Sequence, residues 1–350
     1  MMQFFLEQTV ATNFVLFLLA ALGVWLAGSR LPLYADAIAD RKRIGKAFIG
    51  LVLLAGATSL PEIVATLSAS LAGKPKLVLG VLFGGIAMQT AVLALADAFL
   101  SPHPLTCYPR KLSSALEATL LALLLALLLA IATVGDIIVF LDIGMGTIAL
   151  GLAYAGVLAI LNRYEGTDTW RPTEVLEIEE EPIAGLLPKT LDKVSFEGLV
   201  LRFTGGSLMI LICGLTLTGT SSALAEQTGL GGSFLGATLL AWSTSLPEVT
   251  TTFAAVRLGA YTMAISNIFG SNLLMVALVL PADLAFFGGP VLDAIDRTTT
   301  FALVSGLTVT SVYLAGMLIR STRTVAGMGY DSAFVLFGYL LTLVVLYNLT

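Results

Sequence analysis

The chain reads as an all-α membrane protein, with ten transmembrane helices forming two inverted-topology five-helix repeats. Of its 350 residues, 57% are hydrophobic and 12% charged, and the mean hydropathy is +0.95, a balance foreign to a soluble chain of this length. The pentapeptide Thr58-Ser59-Leu60-Pro61-Glu62 recurs as Thr244-Ser245-Leu246-Pro247-Glu248, each copy inside a long apolar stretch. A carboxylate near the bilayer centre costs roughly 2.5 to 3.5 kcal/mol on insertion scales, so two in one context mark a site that uses both.

A helix needs about 20 apolar residues to cross a bilayer. Such stretches lie near 10–28, 46–72, 75–99, 112–134, 137–161, 199–221, 231–257, 260–287, 299–319 and 331–349. The first lacks a basic leading region and a small-residue cleavage site, which predicts a retained helix. The second is interrupted by Pro61 and carries Thr58, Glu62 and Thr66 at intervals of four, a polar stripe on one face. The third holds Gly80, Gly84 and Gly85, residues that permit close helix packing, and Gln89. Only Gly135-Asp136 separates the fourth from the fifth, which predicts a tight hairpin. Glu117, near the cytoplasmic end of the fourth, is expected to snorkel or to pair with Lys111. The seventh repeats the polar stripe with Thr244, Glu248 and Thr252, interrupted by Pro247, and the eighth carries Ser266 through Asn272.

Loop charge gives the orientation, because Lys and Arg collect on the cytoplasmic side. With both termini outside, 15 of the 18 basic residues fall in inner loops and only Lys74, Lys76 and Arg297 fall outside. The hydrophilic segment 162–198, with five glutamates from Glu174 to Glu181 and three prolines, is a solvated cytoplasmic linker between the halves 1–161 and 199–350. Its length is too small for an ordinary folded domain. Cys107 and Cys213 form no disulfide framework or metal motif, His103 sits in a Ser-Pro-His-Pro loop, and nothing points to nucleic acid or a cofactor.

One offset aligns the halves: 244 minus 58 is 186, and the same shift pairs Phe83-Gly84 with Phe269-Gly270 and Ala96-Asp97 with Ala282-Asp283. The repeats thus cover about 55–97 and 241–283. With an odd number of spans per half, the copies enter the membrane from opposite sides. That construction is common in secondary transporters and places a site near the midplane.

Proline removes a backbone hydrogen bond, so Pro61 and Pro247 are expected to free carbonyls near Ala57-Thr58 and Ser243-Thr244. Two carboxylates, hydroxyls and carbonyls then converge. An oxygen-only set favours calcium or sodium over zinc or copper, which prefer His or Cys. Facing carboxylates repel unless a cation or a proton lies between them, so a proton is an alternative occupant. A site that holds either the substrate cation or its replacement has the makings of an exchanger.

These residues resemble the alpha repeats of the calcium/cation antiporter superfamily, which includes the sodium/calcium exchangers. The likeness rests on Gly56 through Glu62, Ser243 through Glu248 and Ser266 through Asn272, within repeats that cover about a quarter of the chain. It implies calcium exchanged for sodium, with protons as the alternative counter-ion. It implies a calcium site of Glu62, Glu248 and the Thr58 and Thr244 carbonyls. It further implies flanking sodium ligands at Ser59, Ser245, Ser271 and the carbonyls of Ala55 and Ala241. The pattern departs in the first repeat, where the serine of Gly-Ser-Asn is Gly85. The position four residues on, Asn or Asp in the family, is Gln89 in one half and Met275 in the other. Gln89 still offers an oxygen; Met275 does not. The resemblance also implies that the first and sixth spans slide across the site, and Gly23, Gly28, Gly205, Gly206 and Gly214 fit such motion.

The rival from another class is a cation channel, for which charge rings or repeated carbonyl-filter motifs are absent from the sequence. An enzyme lacks support because no His or Lys accompanies Ser59 or Ser245 in the membrane. The expected partners are the transported ions and the lipid bilayer.

Overall fold

A computed structural model describes residues 2–42, 45–109, 112–140, 143–165, 191, 194–229 and 242–349. Most of the linker 162–198, the first part of the expected span 231–257 and the site residue Ala241 lie outside the described residues.

The described chain is mainly helical. The long helices are α1 (Val10–Gly28), α2 (Leu31–Lys42), α3 (Leu60–Leu71), α4 (Pro75–Leu100), α5 (Ser113–Val134), α6 (Met145–Glu165) and α7 (Phe196–Gln227). They continue with α8 (Leu246–Arg257), α9 (Tyr261–Ala277), α10 (Val279–Ala285), α11 (Arg297–Ile319) and α12 (Tyr330–Leu349). Among the described residues eight helices, with α1–α2 and α9–α10 each taken together, are long and apolar enough to cross a membrane. A ninth is made by the bent pair Ile49–Thr58 and Leu60–Leu71.

Local sequence sets the helix ends. The Thr9 side chain accepts from the Thr12 N–H at the start of α1, and Ser195 does the same for Gly198 at α7. Asp296 and Thr299 form a reciprocal capping box on α11, which ends at Arg320 in the left-handed region with φ 54°.

The chain is inside out relative to a soluble fold. Leu19, Phe99, Leu123, Leu152, Leu201 and Phe337 are exposed, whereas Glu62, Gln89, Glu248, Asn267 and Asn272 are buried. Helices α4 and α9 form the centre, while α1, α6, α7 and α12 lie outermost.

Three expectations are corrected. The loop expected at 29–45 is largely helical, because α2 buries Leu31, Ala35, Ile38 and Ala39 against its neighbours despite its polar composition. The hairpin expected at Gly135-Asp136 is instead a β-ribbon of β1 (Ile138–Phe140) and β2 (Ile143–Gly144), and the next helix starts at Met145 rather than 137. Asp136 causes the delay, since its Oδ1 accepts the Gly146 N–H at 2.7 Å and fixes the start of α6. Finally, α7 extends from Phe196 to Gln227, beyond the expected 199–221. A second ribbon, β3 (Thr324–Val325) with β4 (Met328–Gly329), precedes α12.

The two ribbons are held alike. Asp97, at the end of α4, accepts the Leu105 N–H through Oδ1 and the Gly329 N–H of β4 through Oδ2, both at 2.9 Å. Asp283, at the end of α10, accepts the Val291 N–H through Oδ1 at 2.6 Å and the Gly144 N–H of β2 through Oδ2 at 2.9 Å. Each aspartate therefore binds the amide eight residues ahead and a glycine amide of the other half's ribbon.

Candidate functional site

The motif segments are broken helices. Residues Ile49–Leu54 form a π turn that passes through Ala55–Thr58 and bends by 55° before α3 begins at Leu60. The break falls at Ser59, with φ −85° and ψ 7°, and Ser245 has nearly the same backbone, φ −88° and ψ 5°, before α8. Pro61 and Pro247 stand in the first turn of the new helices, where a missing N–H leaves no bond unmade. The proline thus sits in the first turn of a second helix, and the expected kink is a full break two residues ahead of it, at Ser59 and Ser245.

Glycine brings the first motif against α9. A Cβ on Gly270 would lie 2.3 Å from the Leu51 carbonyl oxygen, and one on Gly50 would lie 2.7 Å from the Met263 carbonyl oxygen. Only hydrogen at these two positions allows the backbones to meet.

The break points converge. The Ser59 hydroxyl donates to Glu248 Oε1 at 3.2 Å and lies 3.1 Å from Ser271 Oγ of α9, so both motifs and the eighth expected span meet at one serine. Glu62 and Glu248 are both fully buried, and Ser59, which holds Glu248, lies one turn ahead of Glu62. Among the described residues neither Glu62 oxygen has a hydrogen-bond partner, and Glu248 Oε2 has none either. Among the described residues Gln89 is buried with both amide atoms unpartnered, and the Thr66 hydroxyl and Asn272 Oδ1 are likewise unpartnered. Burying such groups without partners is costly, which marks them as groups that a bound cation could satisfy.

The other expected ligands divide. Thr58, Thr244, Ser245 and Ala55 are buried around the breaks. The Ala55 carbonyl accepts from the Ser59 N–H at 3.0 Å and from Thr58 Oγ1 at 3.1 Å, so it is engaged within its own turn. Ala241 lies outside the described residues. Gly85 and Met275 face each other: a Cβ on Gly85 would lie 2.8 Å from Met275 Cε and 3.0 Å from Sδ. Among the described residues Gly80 and Gly84 have no such neighbour within 4 Å.

Several residues had no site role in the sequence reading. Glu117 is buried and accepts from Ser266 Oγ at 3.0 Å, which corrects the snorkelling expectation, while Lys111, the other expected partner, lies outside the described residues; Ser266 is 149 residues away and invisible locally. Asn267 Nδ2 donates to Thr251 and Thr252, both at 3.2 Å, and Asn272 Nδ2 donates to Thr90 at the same distance. The helix α7 spans both motifs: a Cβ on Gly214 would lie 2.4 Å from Pro61 Cγ, and Ser221 Oγ lies 2.6 Å from Ser243 Oγ. Gly23 and Gly28 of α1 are pressed in the same way against Cys213 and Thr250, whereas Gly205 meets nothing within 4 Å among the described residues.

A profile of the family described as sodium/calcium exchanger protein matches residues 12–162 and 198–348. The chain is 26% identical over 273 residues to inner membrane protein YrbG of Escherichia coli (strain K12), covering 76% of this chain and 77% of that one. It is 28% identical over 341 residues to CaxA of Alkalimonas amylolytica, provisionally named an antiporter, covering 95% of this chain and 98% of that one. Its fold superposes on the sodium-calcium exchanger NCX_Mj, soaked with sodium and strontium, with a TM-score of 0.70 and 17% identity, covering 96% of this chain and 99% of that one.

Proposed function

The chain belongs to the sodium/calcium exchanger protein family, and from that membership we propose that it is a multi-pass antiporter exchanging calcium for sodium across the bilayer. The observation that carries the reading is the pair Glu62 and Glu248, both buried, joined through Ser59 one turn ahead of Glu62, with three of their four oxygens open among the described residues. Calcium seeks six to eight oxygens, and the pair supplies the charge that such an ion neutralises. Thr58 and Thr244 add carbonyls at the breaks. Ser59, Ser245 and Ser271, with the carbonyls of Ala55 and Ala241 and the amide of Gln89, take the counter-ion.

The transport cycle follows from one competition. With calcium bound, the carboxylates share one divalent charge; counter-ion binding at the hydroxyls beside Glu248 weakens that hold and releases calcium. In this reading α1 and α7 slide across the two motifs to alternate access, and the contacts of Gly214 with Pro61 and Ser221 with Ser243 support coupling of that motion to the site. The ten-span, inverted-repeat arrangement is supported by the shared backbone of Ser59 and Ser245 and by the matching bonds of Asp97 and Asp283. The asymmetry of the basic residues supports external termini and a cytoplasmic linker.

Proton coupling is the second reading, favoured by Gly85 and Met275, which remove oxygens while leaving both glutamates in place. Tracer calcium uptake into proteoliposomes separates the two. An outward sodium gradient alone driving accumulation supports sodium exchange, and an outward proton gradient alone driving it moves the chain to the proton branch. Current without any exchange ion would contradict antiport and favour a channel.

A further inference from the structure

The carboxylate pair has one polar flank fixed by hydrogen bonds, and the sequence offset between the repeats gives that flank a counterpart. On the polar side, Ser271 Oγ meets Ser59 Oγ, which donates to Glu248. The offset of 186 maps Ser271 onto Gly85 and Gln89 onto Met275. Its counterpart on the other side is therefore the contact between Gly85 and the Met275 thioether, with a hydrogen and a soft sulfur where Ser271 and Gln89 carry oxygen. Met275 is buried on α9 one turn beyond Ser271, and α4 and α9 cross here, with Thr90 bonded to Asn272.

The contact is steric as well as chemical. Any side chain at 85 would meet Met275 at or below 3.0 Å, so a hydroxyl enters there only if the thioether moves away. Glycine at 85 and methionine at 275 therefore act as one unit. A thioether is a poor ligand for a hard cation, and its methyl group excludes water from the space it fills.

We propose that Met275, seated on Gly85, is a specificity-determining plug that closes one of two pseudo-equivalent cation positions flanking the carboxylate pair. Counter-ion binding is then confined to the Ser59–Glu248–Ser271 side. This inference rests on the exchange reading above and adds a consequence to it: fewer counter-ions are bound per calcium than two open sides would hold.

The test is tracer calcium uptake by the full chain in proteoliposomes, as wild type and as the double variant Gly85→Ser/Met275→Asn, which adds two oxygens without adding charge. If sodium drives the wild type, the Hill coefficient for sodium rises by about one in the double variant. If protons alone drive it, the double variant gains sodium-driven uptake. An unchanged sodium slope, or no gain of sodium-driven uptake, overturns the plug while leaving exchange intact. Wild-type uptake under neither gradient overturns the exchange reading and the plug with it. Should the double variant fail to fold, Met275→Ser replaces it, removing the thioether and adding one hydroxyl, with the same slope as readout. A merely structural role for Met275 would alter rate or calcium half-saturation but leave that slope alone.

Discussion

Ser59 Oγ donates to Glu248 Oε1 at 3.2 Å across 189 residues of chain, which makes the first motif's break the direct support of the second motif's carboxylate. Glu62, three residues beyond Ser59, has no such donor among the described residues. The pair is thus unequal, with one carboxylate anchored and the other open to a cation.

Removing the anchor tests this. A hydrogen bond to a charged group contributes about 1.5 to 3 kcal/mol, so Ser59→Ala is expected to raise the calcium concentration for half-maximal uptake roughly ten- to a hundredfold. Titration of tracer uptake against external calcium reads the shift. An unchanged half-saturation would exclude Ser59 from the support of Glu248.

The aspartate clasps are expected to be matched in stability. Asp97→Ala and Asp283→Ala each strand two buried amides, one of them on the other half's ribbon. At about 1 to 3 kcal/mol per stranded group, each variant should melt at least about 5 °C below wild type in detergent. Wild-type melting by either variant would show that its clasp contributes nothing to the fold.

Gly270 and Gly84 should separate although they are repeat-related. Gly270→Ala forces a methyl onto the Leu51 backbone, an overpacking that costs about 1 to 3 kcal/mol, whereas a methyl at Gly84 meets nothing within 4 Å among the described residues. Thermal melting of the two purified variants measures the difference. Equal melting would contradict the close approach of the π turn to α9.

What could be read from sequence was what recurs or costs energy in a membrane. The repeated Thr-Ser-Leu-Pro-Glu motif, the pairing of Asp97 with Asp283 and the apolar stretches all follow from those two rules. Features fixed by distant contacts were not legible. Helix α2 carries Asp36, Asp40, Arg41 and Lys42 and looks like a loop until its small apolar face is seen packed. Glu117 looks like a surface residue until Ser266 is brought to it. The departures at Gly85 and Met275 were visible separately, but their contact depends on how α4 crosses α9.

The most direct measurement is accumulation of tracer calcium in sodium-loaded proteoliposomes bearing wild type, Glu62→Gln or Glu248→Gln, with folding of each checked by its elution as a single species. The wild type should concentrate calcium until the sodium gradient is spent, and both variants should fall to the level of protein-free vesicles. Undiminished accumulation by either folded variant would contradict the assignment of transport to the buried carboxylate pair.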